Sequence, residues 1–152
     1  MEPKETALAT WAWMWTYRLQ AGNVDLVRLK SSADDLIGAS ASPAEWLLDT
    51  AVARSHSDAL ASLGQCTGSP DPVAGLHLLV AEWRFVLESD PSAAEHIARV
   101  LYSISMDIEE LPVEAANEMA CFSDALELAR TGIFGNYDEQ VSALLDFLRR
   151  WS

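Results

Sequence analysis

Lysine is nearly absent from this chain: there are two among 152 residues, and with eight arginines they face 23 acidic residues, for a net charge of -13. Nucleic-acid phosphates demand a basic face, so this shortage argues against direct nucleic-acid binding. It disfavours anionic membrane surfaces for the same reason. Cysteine is also scarce. Cys66 and Cys121 cannot build a disulfide scaffold, and neither belongs to a CxxC pair. The first residues, MEPKETALAT, are acidic and lack a basic n-region, so no secretory signal is expected. No apolar run approaches the ~20 residues that span a bilayer. The expectation is a cytoplasmic protein with reduced thiols and no membrane association.

Recognisable catalytic patterns are missing as well. There is no GxSxG, no P-loop, no GxGxxG and no HExxH. The three histidines, His56, His77 and His96, fall on different expected helices, and no ExxH pair is present for a di-iron bundle. His77, amid GLHLLV, reads as a core or near-core histidine. Cys121, in EMACFSDAL, reads as a small buried residue. Cys66 lies in the segment GQCTGSPD, which suits an exposed loop or hinge. No enzyme, metal site or cofactor is expected, although side chains distant in sequence can converge in space.

What the chain does have is helix punctuation. SPAE at 42–45, DPVA at 71–74 and DPSA at 90–93 place Ser or Asp before Pro, as an N-cap followed by proline at the first helical position. Glu45 completes a capping box after Ser42. LPVE at 111–114 is similar, and NYDE at 136–139 offers an Asn cap. Gly22, Gly38, Gly64 and Gly132 stand where helices should stop. Between these marks, apolar residues recur at helical spacing. Leu76, Leu79, Val80, Trp83 and Leu87 form one stripe; Ile97, Leu101, Ile104 and Ile108 form a second. The spacing predicts helices over 4–21, 24–37, 43–63, 72–89, 91–109, 112–131 and 137–151. KSSADD is a place where the second could break. No strand with alternating polarity survives. The expected architecture is an all-α single domain, a bundle of six to seven helices whose paired lengths would permit stacked hairpins.

One stretch, WAWMWTY at 11–17, reads at first as a strand, because aromatics occupy every second position. Its neighbours are good helix formers and no turn residue interrupts 4–21, so the helix prevails. Trp11 and Trp15 then lie about 40° apart on the side of Leu8, Ala12 and Leu19, while Trp13 and Tyr17 share the opposite side. Three outcomes stay open. The helix is packed on both sides, or Trp13 and Tyr17 form an exposed binding anchor of the kind that dominates interface hot spots, or they line a small apolar ligand pocket.

Charge is uneven along the chain. Residues 1–70 hold eight acidic and five basic residues, whereas residues 71–152 hold fifteen and five. The segment 107–127 contains Asp107, Glu109, Glu110, Glu114, Glu118, Asp124 and Glu127 with no Lys or Arg. Glu114 and Glu118, at i and i+4, repel by a few tenths of a kcal/mol. Such a run is either a solvated face or a docking surface for a basic partner, where charges raise association rate and select partners.

In general character the chain resembles small, acidic, all-α immunity proteins and antitoxins of bacterial toxin systems. The likeness rests on TWAWMWTYRL, SPAEWLLDTAVARS and MDIEELPVEAANEM. It implies a protein that caps a toxin's basic cleft with carboxylates flanked by aromatic anchors. The expected contact residues are Trp13, Tyr17, Asp107, Glu110, Glu114, Glu118 and Asp124, and the expected partner is a basic protein. Two other readings are a helical scaffold or homo-oligomer joined through the second aromatic face, and a nucleic-acid mimic that blocks a DNA-binding protein.

Overall fold

Capping chemistry sets most of the observed helix starts. In the computed structural model, which describes residues 4–21 and 25–152, the Asp71 carboxylate accepts from the Ala74 amide at 3.1 Å and the Asn136 side chain accepts from the Glu139 amide at 3.1 Å. Asp25 and Asp90 do the same for Val27 and Ser92, at 2.9 and 3.1 Å. Each satisfies an amide that the first helical turn leaves without a partner. The resulting elements are α1 (Glu5–Gln20), α2 (Leu26–Gly38), α3 (Glu45–Ala51), α4 (His56–Leu63), α5 (Pro72–Ser89), a 3-10 turn (Pro91–Ala93), α6 (Ala94–Asp107), α7 (Val113–Arg130) and α8 (Tyr137–Trp151). The architecture is all-helical, with no strand among the described residues. The stop expected at Gly22 and the helix start expected at residue 24 lie outside those residues.

One expected helix is divided, and its expected cap is not used. The helix expected over 43–63 is two helices, α3 and α4, because Ser55 caps a new one: its hydroxyl accepts from the Asp58 amide at 3.0 Å. Asp58 in turn accepts from the Arg54 amide at 3.4 Å, close to a capping box. With the break at Val52, the apolar spacing no longer runs through, and Leu48 and Val52 are 44% and 69% exposed rather than in the core. Ser42 is not a cap either. Ala44 is extended and makes no side-chain cap, and α3 begins at Glu45.

The chain divides into two compact units, Met1–Gly75 and Leu76–Ser152, with the boundary one turn inside α5. In the first unit α1 packs on α4, and α3 packs on both α2 and α4. Ala12, Trp15, Leu19, Leu29, Ala53, Ala59 and Leu63 form its buried cluster, with Trp11 and Trp46 partly buried against it. The Trp11 indole donates to Ser32 Oγ at 3.0 Å and its ring lies 6.2 Å from that of Trp46. A partly buried indole N–H that finds an acceptor avoids the cost of an unmade hydrogen bond. The loop 64–71 is fastened rather than free: the Asp71 amide donates to Thr10 Oγ1 at 2.8 Å, and Cys66 packs on the cluster.

In the second unit α6, α7 and α8 run antiparallel in succession. Glu95 at the start of α6 meets Arg130 at the end of α7 at 2.9 Å, and Glu118 near the start of α7 meets Arg150 at the end of α8 at 2.5 Å. The core stripes expected on α5 and α6 are buried throughout, and on α7 Met119, Phe122 and Leu126 are buried while Ala129 is partly so. On α8, Phe147 is fully buried and meets Phe122 edge-on at 5.4 Å. The C-terminal end of α8 reaches α5: the exposed His77 donates through Nδ1 to the Trp151 carbonyl oxygen at 2.7 Å, and the two rings stack. His77 is therefore a surface residue, not a core one.

Candidate partner-binding surface

α7 is amphipathic, and its outward side carries two of the expected contact residues, Glu114 and Asp124. Ala115, Met119, Phe122 and Leu126 recur at three- and four-residue spacing and are buried. Glu114 and Asp124 lie away from that stripe and are exposed. They are ten residues apart, about 15 Å along the helix axis. Glu110, in the turn that joins α6 to α7, is exposed as well. Cys121 also sits on the outward side and is exposed, not buried as its apolar neighbourhood suggested. Among the described residues no Lys or Arg pairs with Glu110, Glu114 or Asp124.

Glu118 is differently placed. Arg150 grips its two carboxylate oxygens at 3.1 and 2.5 Å, a two-pronged pair that also holds the arginine's pKa above its ordinary value. This carboxylate ties α8 to α7 rather than facing solvent as a free charge. Asp107 closes α6 and is exposed. The last turn of a helix disfavours negative charge, and no basic residue occupies that turn.

The aromatic half of the expected site does not form an exposed anchor. Tyr17 is 6% exposed and Trp13 is half-buried, their rings 4.9 Å apart and edge to face. The cause lies at the start of α5. A Cβ added at Gly75 would sit 2.8 Å from two ring atoms of Trp13, so the indole lies directly against glycine backbone. α1 is thus packed on both sides, the first of the three outcomes its sequence allowed.

An apolar feature that the helical periodicity did not single out lies at the other end of α7. Ile133 and Phe134, in the turn between α7 and α8, are 74% and 76% exposed. Gly132 and Gly135 bracket them with positive φ of 75° and 84°. The signal was present as TGIFGN, but the helical pattern stops at Gly132, so the pair fell between elements.

The surface also carries two shallow clefts. One lies between α6 and α7, lined by Glu95, Arg99, Ser123, Glu127 and Arg130. Next to it the Tyr137 phenol is raised above 10.0, by burial first and then by the Glu95 carboxylate, with Arg130 opposing and Asp138 adding. The other, in the first unit, is lined by Glu45, Trp46, Asp49 and Gln65. Among the described residues no group of three His, Cys, Asp or Glu side chains could hold a metal ion, and no helix is long and apolar enough to cross a membrane. No protein-family model, no curated protein and no solved structure matches the chain.

Proposed function

We propose that this chain is a non-enzymatic binding protein of the immunity type, which neutralises a basic toxin by presenting the acidic outward side of α7. The observation that carries this reading is the exposure of Glu110, Glu114 and Asp124 without a cationic partner among the described residues. The second unit holds fourteen acidic residues against five arginines, and three of those arginines are engaged by Glu88, Glu95, Glu118 and Asp146. The excess charge therefore points outward. Such a surface steers a cationic partner into encounter and repels acidic competitors. Its carboxylates would then occupy the basic cleft in which a toxin holds its own anionic substrate. The homo-oligomer reading loses its proposed contact, because Tyr17 is buried.

The test is binding of a basic protein captured from the native host at low salt and then purified. Affinity should fall steeply with ionic strength, and Glu114→Lys with Asp124→Lys should slow association while leaving helicity unchanged. Association indifferent to both salt and charge reversal would show that the acidic side is only a solvated surface.

A further inference from the structure

The turn between α7 and α8 holds two large apolar side chains away from the protein by a specific local device. Gly132 donates to the Ala129 carbonyl at 3.2 Å, and Ile133 donates to the Leu128 carbonyl at 3.0 Å. With Gly132 at a φ of 75°, this is the paired hydrogen-bond pattern in which a left-handed glycine closes a helix. In that pattern the residue after the glycine usually packs back on the last turn of its own helix. Here Ile133 nevertheless remains 74% exposed, and Leu128, its partner residue in that pattern, is itself 38% exposed. Phe134 also donates to the Leu128 carbonyl, at 3.3 Å, so the tip is hydrogen-bonded into a defined shape. Gly135 then reverses the chain into α8 with its own positive φ of 84°.

A single exposed apolar residue is ordinary on a protein surface, but two adjacent ones above 70% exposure on a hydrogen-bonded turn are not. The surroundings of the tip say what could cover it. Asp138 and Glu139, which follow the tip in the first turn of α8, are exposed and have no cationic partner among the described residues, whereas Glu127 lines a cleft with Arg99 and Arg130, of which Arg130 is held by Glu95 at 2.9 Å. These two unpaired carboxylates, on a chain of net charge -13, disfavour an anionic lipid surface and a second copy of this acidic chain. They favour a protein surface with an apolar pocket and a basic rim.

We infer that Ile133 and Phe134 are the anchor of the complex, inserting into an apolar pocket of a basic protein whose rim pairs with Asp138 and Glu139. This rests on the acidic-surface reading above and replaces the aromatic anchor that Trp13 and Tyr17 do not provide. Rigid presentation matters here, because an anchor already in its bound shape loses little conformational freedom on insertion. Central apolar anchors ringed by weaker polar contacts are also where binding energy concentrates.

The experiment places a benzophenone amino acid at position 134, with position 27 as a control of similar exposure in the first unit, and irradiates the full chain in native-host lysate at low salt. The crosslinked protein is identified, purified and titrated against three forms: the unmodified chain, Ile133→Ser/Phe134→Ser, and Glu114→Lys/Asp124→Lys. Circular dichroism should be the same for all three. The expected result is a crosslink from position 134 into an apolar segment flanked by Lys or Arg. The tip variant should then bind at least about 30-fold more weakly at every salt concentration, as loss of a hot spot does. Its salt dependence should match that of the unmodified chain, while the charge variant's is flatter. No crosslink above the position-27 control, or a crosslink only to another copy of the chain or to lipid, overturns the inference. So does a tip variant weakened by less than about threefold, below the hot-spot range. In that last case a flattened salt dependence in the charge variant would leave the acidic-surface reading standing; failure of the charge variant alone would sink that reading and not the anchor.

Discussion

Replacing Gly75 by alanine adds one methyl group against the Trp13 indole, and the structure gives the size of the conflict. The new Cβ would lie 2.8 Å from Cε3 and Cζ3 of the ring, where carbon–carbon contacts settle near 3.5–4.0 Å. A planar indole cannot bend away, so the ring must rotate or α1 must shift from the first turn of α5. Overpacking of this kind costs about 1–3 kcal/mol. Against it stands a gain of about 0.8–1 kcal/mol, because alanine is the better helix former. The net expectation is a loss of about 1 kcal/mol, a fall in Tm of roughly 2–4 °C for a chain of this length. Gly38→Ala supplies the comparison: nothing lies within 4 Å of its added Cβ, so it should stabilise by about 0.4–1 kcal/mol. The decisive form is a double-mutant cycle read by urea denaturation. With Trp13→Ala in place the clash is gone, and Gly75→Ala should turn from harmful to helpful, a coupling of about 1–3 kcal/mol. Coupling below about 0.5 kcal/mol would mean that Trp13 does not lie on Gly75. Trp13 would then return as a candidate anchor.

Two further outcomes test the second unit. Phe147→Ala removes a side chain with no exposed surface and breaks the edge contact with Phe122, so it should cost about 3–5 kcal/mol in urea-monitored stability. A loss under about 1 kcal/mol would contradict its central place between α7 and α8. The phenol of Tyr137 should ionise above 10.0, read as the difference in ultraviolet titration between the unmodified chain and Tyr137→Phe. Since the folded state then holds that proton more tightly than the unfolded state, its stabilising effect is complete below 10.0 and is lost as pH rises through the folded value. Glu95→Gln removes the largest charge contribution and should bring the ionisation part of the way back toward 10.0; an unchanged titration would refute the Glu95 contribution and leave burial alone as the cause.

Local chemistry decided much of this molecule in advance. Asp71, Asp90 and Asn136 cap where their side chains can reach the next free amides, and those signals depend on a few neighbouring residues only. The apolar stripes of α5 and α6 are buried as their period requires. Where two local signals competed, the continuous apolar run from 43 to 63 masked the Ser55–Asp58 cap, which splits it. Periodicity averages over a whole window, whereas a cap acts at one residue.

Burial itself was decided elsewhere. The helical wheel put Trp13 and Tyr17 opposite Trp11 and Trp15, but no wheel can state what lies on the second side. It is Gly75, more than fifty residues away in sequence, that meets Trp13. The same holds for charge: Glu114 and Glu118 are alike in the sequence, yet Arg150 from another helix engages one and leaves the other outward. The GIFG turn was fixed locally by two glycines, while its exposure depended on the rest of the fold leaving Ile133 and Phe134 uncovered. Backbone conformation answers to neighbours in the chain. Which side chains meet water depends on surfaces brought together from far along it.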